Sequence, residues 1–560
     1  MIDPITAEIV KNALVYASEE MGIAVRNSAY SPNIKERLDH SCALFDAAGR
    51  LIAQAEHIPV HLGSLPWGMA RMLEIVGREY GGVREGEMWV ANDPYVTGTH
   101  LNDITVVRPV FYRNRLVGYA ANKAHHADVG GSAPGSMPAD AADLFAEGVV
   151  VPPMRLVERD RVVDESVAVF RANSRTPDAR SGDLRAQVAG NYTGERRLLE
   201  LCDRYGIETL EGAMARALED SERRMRTALR AIGDGIFDAT DYLEDLDGKP
   251  SIVIALRLEL RDGSVRLDYT GTSRQVGFPL NAVFGVTLSG VHYALRAVTD
   301  PTIPMNDGCF RPVQVYAPEG SLLNPRRPAP VSGGNVETSM RNAEVVLQAL
   351  ARAVPHRVPA CSGGTMSNVM LGGTRTDGRT WAFYETNGCG MGARPTSDGL
   401  NGIHCHMTNT LNTPIEAIER EYPLRVVRYE LAEGTGGSGR HRGGNGLIRS
   451  LQLVEGSAQA TLLADRHVAQ PPGAQGGDPG ACGRHSLARD GRETELPAKV
   501  SLPLHPSDVL TTQTPGGGGY GKAEAGRSRP KREAQSRSTT RIALRRGEKR
   551  RRASAGSKSP

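Results

Sequence analysis

Residues 92–128 read NDPYVTGTHLNDITVVRPVFYRNRLVGYAANKAHHAD, and the folding of this stretch decides how the remaining chain is read. Residues 104–112 and 116–119 are rich in β-branched and aromatic side chains, and Arg113-Asn114 between them is turn-like. The pattern predicts a β-hairpin with a two-residue turn, in which residues whose numbers sum to about 227 face each other. Asp103 then faces Ala124, and Asn102 faces His125. On this reading His100, Asp103 and His125 meet at the open end of the hairpin, although about twenty residues separate them along the chain. Two imidazoles and one carboxylate with positions left open form a donor set suited to a catalytic divalent metal: zinc, manganese or ferrous iron. A single histidine in a strand is usually a satisfied core residue; HxxD and HHxD at the two ends of one hairpin say more. His126 alternates to the opposite face from His125, where it is a candidate for moving protons or orienting a water, with Asp128 returning to its side to orient it. Asp93, in an Asp-Pro step, reads as a turn.

The chain has 560 residues, 40% of them hydrophobic and 23% charged, the balance of a globular protein of several domains' length. Seven cysteines without a CxxC pair argue against a disulfide framework or a cysteine-rich zinc module. The start, MIDPITAEIV, lacks the basic and apolar regions of a signal peptide, and no apolar run has the length of a membrane span. The expected location is cytoplasmic. The net charge of +3 hides an asymmetry: residues 522–560 hold 14 Lys+Arg against 3 Asp+Glu, and the rest holds 53 against 61. This basic end, almost without apolar residues, is expected to be a disordered tail; its charge alone is a weak argument for nucleic acid as a partner.

Asp3-Pro4 predicts a helix start, followed by apolar residues at helical spacing from Ile9 to Val25. Strands are expected at 42–45 and 50–53. A helix is expected to be capped by Ser64 and stopped by Gly77, and another spans 207–232 with Gly233 after it. A helix at about 338–354 sits among short strands from 252 onward. Residues 235–250 are a candidate sub-boundary within a body of residues 1–521. The fold class is α+β: a large mixed subunit with β-hairpins and Gly-rich loops, and not a doubly wound Rossmann sheet, because no βαβ alternation occurs. Gly516-x4-Gly521-Lys522 approaches a phosphate loop but has Ala523 where Ser or Thr is required, and no helix pattern follows. The Gly/Pro/Ala-rich loop after the hairpin reads as a working loop and contains Glu147, a third candidate for proton transfer. His404-Cys405-His406 is a further polar cluster, read first as buried hydrogen-bonding residues.

Several long blocks resemble the hydantoinase B/oxoprolinase family: residues 31–46 (SPNIKERLDHSCALFD), 57–66 (HIPVHLGSLP), 91–111, 121–138, 306–325, 333–341 (GGNVETSMR), 384–431 and 514–521 (TPGGGGYG). The resemblance runs from the N-terminus to Gly521. It implies the B-type subunit, or fused half, of ATP-dependent enzymes that open cyclic amides such as N-methylhydantoin and 5-oxoproline or, in related systems, carboxylate ketones such as acetone and acetophenone. It also implies a separate A-type partner that binds ATP and phosphorylates the substrate, hence a hetero-oligomer. In the carboxylase relatives a divalent metal is held by a His, an Asp three residues later and a His further on; the matching positions are His100, Asp103 and His125. The leading expectation is an ATP-dependent cyclic-amide hydrolase in which a metal-activated water attacks a phosphorylated carbonyl. Its rivals are a ketone carboxylase and a non-catalytic structural subunit. The basic tail departs from the family pattern.

Overall fold

The computed structural model describes residues 3–55 and 57–523; the tail expected to be disordered lies, from Glu524 on, outside the described residues. The hairpin forms, and it is the middle of a seven-stranded antiparallel sheet. In chain order the strands are β1 (His40–Asp46), β2 (Leu51–Gln54), β3 (Met88–Ala91), β4 (Asp103–Tyr112), β5 (Arg115–His125), β6 (Met154–Glu158) and β7 (Arg161–Val162), arranged β2-β1-β5-β4-β3-β6-β7. Arg113 and Asn114 both take left-handed backbone, φ 51° and 64°, as a two-residue turn matched to strand twist requires.

Next to the turn the pairing is as expected, Phe111 with Leu116 and Tyr112 with Arg115. A β-bulge between Val110 and Phe111 then shifts the register by one, so Asp103 faces His125 and Ile104 faces Ala124. The expected pairing of Asp103 with Ala124 is thus corrected. Residues directly opposite in an antiparallel pair share a face, so the bulge puts the carboxylate and the imidazole side by side.

Both faces of this sheet are covered. Cys42, Leu44, Val110, Val117, Ala120 and Ala124 pack with helices Pro4–Ser28, Pro177–Tyr205 and Ile207–Ile232. Ala43, Phe45, Ala91, Val107, Tyr119 and Ala121 pack with helix His61–Tyr80. Two covered faces explain why the strands read as near-continuous apolar runs instead of alternating.

Asp3 caps the first helix, its carboxylate accepting from the Thr6 N–H at 2.9 Å with Pro4 following. Ile207–Ile232 buries Leu210, Met214, Leu218, Ser221, Met225 and Leu229 along one stripe and stops at Gly233 (φ 96°). The helix expected to open at Ser64 and close at Gly77 instead spans His61–Tyr80 and ends at Gly81 (φ 74°). The Ser64 hydroxyl bonds back to the Val60 carbonyl at 2.9 Å, one turn upstream, and Gly77 has open space around it and interrupts nothing. This earlier start places His61 at the first turn.

A second sheet holds β8 (Gly235–Glu244), β9 (Pro250–Arg261), β10 (Ser264–Asp268) and β11 (Val313–Tyr316) in the order β11-β10-β9-β8, with helices Phe284–Val298 and Ser339–Ala353 nearby in sequence. One apolar cluster runs from Val90 and Ile104 through Met225, Leu243 and Ile254 to Val345, without interruption at 235–250. A π-helical turn, Gly334–Thr338, leads into Ser339–Ala353. Two C-terminal sheets follow, one of Asn368–Thr374, Thr380–Glu385, Ser457–Leu463 and Lys499–Leu504, the other of Leu424–Ala432, Gly446–Leu453, Arg484–Arg489, Arg492–Leu496 and Val509–Gln513; they share a core that includes Leu371, Phe383, Leu451 and Leu462. The architecture is α+β. Among the described residues no helix is long and apolar enough to cross a membrane.

The glycine run 516–521 is not a phosphate loop. Every backbone N–H from Gly516 to Gly521 is donated to a carbonyl of Cys361 or of the segments 441–444 and 474–481. A Cβ at Gly443 would meet the Gly517 carbonyl, and one at Gly517 would meet that of Met391, so only glycine allows these segments to lie against each other.

Asn114→Val forces a β-branched residue into left-handed backbone and is expected to destabilise the protein by about 1–2 kcal/mol, whereas Asn114→Gly is expected to be neutral or slightly stabilising, by urea denaturation.

Candidate metal centre

His100 leads into β4, Asp103 is the first residue of β4 and His125 the last of β5. All three are buried. His100 Nε2 lies 3.1 Å from His125 Nδ1 and 3.2 Å from Asp103 Oδ1, and His125 Nδ1 lies 3.3 Å from the same oxygen. Three polar atoms at the corners of a near-equilateral triangle cannot all hydrogen-bond to one another well, because each proton lies along one edge. Ligands about 2.0–2.2 Å from one divalent ion stand roughly 3.0–3.6 Å apart, so the spacing fits a shared cation. The residues therefore suit zinc, manganese or iron, and the trio expected from the sequence is the one the fold brings together.

The sequence reading missed two neighbours. His61, at the start of helix His61–Tyr80, holds Nε2 3.4 Å from Asp103 Oδ2 and bonds Ser41 Oγ through Nδ1 at 2.8 Å. Asp39, just before β1, lines the same small cavity, and its carbonyl accepts the His125 N–H at 3.0 Å. Both lie in blocks quoted for the family resemblance (HIPVHLG and RLDHS), but no spacing rule links residues of three separate elements. Tyr384 stacks on the His125 ring at 4.3 Å, and Asn33 Nδ2 donates to the His125 carbonyl at 2.7 Å. The cavity beside the triad has a volume of about 20 Å³, room for about one water.

The electrostatics follow from burial. Burial pushes the Asp103 carboxyl up, but the imidazoles of His100, His125 and His61 outweigh it and hold the group well below the usual carboxylate range. Burial lowers His61 and His125, favouring the neutral rings that bind metals. Lys123, on the same strand face, is buried with Nζ on the Thr97 carbonyl (2.7 Å) and Thr99 Oγ1 (3.1 Å); burial brings it down to about 7.

The three residues expected to move protons are placed differently from one another. His126 faces away from the triad, with Nε2 2.9 Å from Gln187 Oε1, and burial holds it well below the usual histidine range. Asp128 does not orient His126. Its carboxylate accepts from Gly130 N, Gly135 N, Arg175 N, Arg175 Nη1 and Ser174 Oγ, which ties the glycine loop to the segment before helix Pro177–Tyr205. Glu147 accepts the N–H groups of Val331 and Ser332 on Oε1, both at 2.8 Å, and Oε2 is buried without a hydrogen-bond partner among the described residues. Burial pushes its carboxyl up to about 7 against those hydrogen bonds. Asp93, as expected of a turn, caps the short helix Pro94–Thr97 and pairs with Arg327.

Glu337 is a buried acid that the sequence reading did not single out. It sits in the π-helical turn whose Asn335 and Val336 line the cavity beside the triad. Its Oε1 accepts from Asn368 Nδ2 at 2.9 Å, and Asn368 Oδ1 accepts the hydroxyl of Tyr384, the ring stacked on His125. Burial pushes it up to about 8, with Asp465 adding to the shift.

The profile described as hydantoinase B/oxoprolinase matches residues 3–523. A 5-oxoprolinase 1 of Arabidopsis thaliana is 35% identical over 93% of this chain, which spans 42% of that protein. A protein of Pseudomonas sp. named as the B-type subunit of a D-/L-hydantoinase is 33% identical over 93% of this chain and 90% of its own length. The crystal structure of an ATP-dependent caprolactamase from Pseudomonas jessenii superposes with a TM-score of 0.87 at 30% identity, covering 93% of this chain and 92% of that one.

Elemental analysis is expected to find about one divalent ion per chain, lost in His100→Ala, Asp103→Ala and His125→Ala and kept in His126→Ala, with His61→Ala weakening affinity about 10–100-fold. Glu337 has its folded value, about 8, above the ordinary 4.5, so the stability it contributes is complete below pH 4.5 and is lost as pH rises to 8. Glu337→Gln is therefore expected to gain stability relative to the parent across that window, by denaturation at several pH values.

Proposed function

We propose, from the premise that this chain belongs to the hydantoinase B/oxoprolinase family, that it is the metal-bearing B-type component of an ATP-dependent cyclic-amide hydrolase. The observation that carries the reading is the buried triangle of His100, Asp103 and His125 in a chain alike over nearly its full length to a protein named as a hydantoinase component and to an ATP-dependent caprolactamase. The name of the Pseudomonas relative supports a separate A-type partner. The occupied glycine N–H groups support placing the nucleotide on that partner.

A lactam or imide carbonyl is a poor electrophile, and phosphorylation of its oxygen by ATP makes that oxygen a leaving group. His100, Asp103 and His125 would hold a divalent ion, which when bound would supply Lewis acidity and a water activated at neutral pH. The chain's own groups do the rest. Asp103, ionised throughout the physiological range, is the anionic ligand, and His61 and Asn33 hold the donor set in place. Tyr384 and Met407 line the small cavity beside the triad and limit the access of bulk water to it. Glu147, poised near neutrality and with one free oxygen, is the group suited to take and return a proton. Asp128 acts by holding the loop that carries it, and His126 by packing the hairpin on helix Pro177–Tyr205.

The test is turnover by the chain co-purified with its A-type partner, supplied with ATP and a panel of lactams and hydantoins. Ring opening coupled to ADP release is expected. His100→Ala is expected to lower kcat at least about 1,000-fold, with thermal stability little changed. Glu147→Gln is expected to cost about 100-fold or more in kcat and to flatten its pH profile near 7. A metal-free complex with full activity would sink the reading. ATP-driven, bicarbonate-dependent consumption of a ketone instead would turn it to the carboxylase.

A further inference from the structure

The cluster His404-Cys405-His406 lies outside the metal centre, and its cysteine meets a second one. Cys405 Sγ is 4.0 Å from Cys389 Sγ, whose thiol donates to it. Backbone pairing sets this contact: Cys389 and Ile403 exchange both N–H···O bonds, at 3.0 and 2.9 Å, and Cys405 follows two residues later. Both are free thiols. Cys389 is 1% exposed and Cys405 7%, so a small reagent arriving from solvent meets Cys405 first.

The surroundings separate the two sulfurs chemically. The hydrogen bond from Cys389 brings the Cys405 thiol below its usual range, and the neighbouring His406 ring acts in the same direction against burial. Burial disfavours the charged form of His406, but Glu344, 3.1 Å from its Nε2, outweighs burial and raises it, so positive charge stands beside Cys405. Cys389 is shifted upward, by the Cys405 sulfur and by burial, and stays a thiol.

The two backbones differ as well. Next to Cys389, Gly390 donates to the Pro515 carbonyl at 2.9 Å and accepts from the Gly363 N–H at 2.8 Å. A Cβ at Gly363 would lie 2.7 Å from Cys389 Sγ, so this side has no slack. Cys405 instead opens a turn closed by longer bonds, Thr408 N–H to the Cys405 carbonyl at 3.3 Å and Val60 N–H to the Met407 carbonyl at 3.2 Å. In that turn His406 takes left-handed backbone, φ 52°. Its side chain lines a second cavity, of about 270 Å³, while Met407 and Thr408 line the small cavity beside the triad.

We propose that Cys389 and Cys405 are a redox-modification site: a hydroperoxide joins them in a disulfide, and closure draws the 404–408 turn toward Cys389. The Cys405 thiolate attacks one peroxide oxygen; an S–O bond forms, the O–O bond breaks, and the other oxygen leaves as hydroxide, which takes the proton given up by Cys405 and becomes water. The Cys389 sulfur then attacks the sulfenic sulfur of Cys405. The S–S bond forms, the S–O bond breaks, and the hydroxyl leaves with the Cys389 proton as a second water. Two thiols are oxidised and one peroxide is reduced. Bonded sulfurs stand about 2 Å apart, so closure must take up the remaining gap, and the turn yields before the glycine-packed strand. Because the turn walls both cavities, oxidation reshapes both together. The reaction requires neither ATP nor a partner.

The experiment treats the folded full-length chain with hydrogen peroxide, blocks the remaining thiols, and maps disulfides by peptide mass spectrometry. A Cys389–Cys405 bridge that dithiothreitol reverses is expected. Dimedone, which traps sulfenic acids, is expected to label Cys405 in Cys389→Ser, where nothing resolves the intermediate, and to leave Cys389 unlabelled in Cys405→Ser. Hydrogen exchange in the oxidised parent is expected to change in the 404–410 segment and not in 387–392. Absence of the bridge in the parent, dimedone on Cys389 in Cys405→Ser, or unchanged exchange at 404–410 once the bridge has formed would overturn the proposal. If either variant fails to fold, the disulfide map and the exchange of the parent decide.

Discussion

One extra residue in a β-ladder controls the geometry of this protein's most reactive-looking site. Because the bulge at Val110/Phe111 shifts β5 by one position against β4, Asp103 stands directly opposite His125 on a shared face. Without it Asp103 would face Ala124, and His125, opposite Asn102, would point to the other face of the sheet. The covering of both sheet faces makes that register hard to slip. Moving the strand by one residue would send Lys123 and His125 into the apolar packing of the N-terminal helix and Ala124 into the metal cavity.

The same constraint explains the unusual amount of buried polar side chain around the hairpin. Gln187 and Asn191 of helix Pro177–Tyr205 donate to the carbonyls of Ile104 and Val106 and exchange further hydrogen bonds with Asn122. These bonds key the helix to the strand pair at one position. On the opposite face Lys123 is paired with backbone and hydroxyl oxygens, and Arg37 lies between Glu385 and the ring of Tyr384. A buried charge left alone would cost several kcal/mol, so each of these groups needs its partner in place before the site is stable. The site is consequently pre-organised and tight, which suits holding a metal and sheltering an intermediate. It also leaves the cavity beside the triad, at about 20 Å³, with room for little more than a water.

Glycine plays a different part in the C-terminal half. Segments around 390, 443, 474 and 517 approach so closely that a single Cβ would collide with a carbonyl, and their N–H groups are consumed in holding one another. A sequence rich in glycine next to lysine suggests phosphate binding, yet here the donors that a phosphate would need are already spent.

The sequence by itself determined the hairpin, because runs of β-branched and aromatic residues on either side of Arg113-Asn114 have few other low-energy solutions, and it pointed to His100, Asp103 and His125 as neighbours at its open end. It also determined the helices at 4–28 and 207–232, whose caps and apolar stripes are local, and the α+β class. Family blocks spread over the whole chain marked a relationship that the full-length relatives bear out. Tertiary structure alone decided the rest. The bulge depends on packing above and below the sheet, so the one-residue error in pairing could not be seen in the local pattern. Ser64 and Gly77 are adequate start and stop signals in isolation and are overridden by the contacts of helix His61–Tyr80. His61, Asp39 and Glu337 join the site from three distant elements, and Asp128 is diverted from His126 to the loop it holds. Such assignments depend on long-range burial and on which buried group lacks a partner, and neither quantity is encoded within any short window of residues.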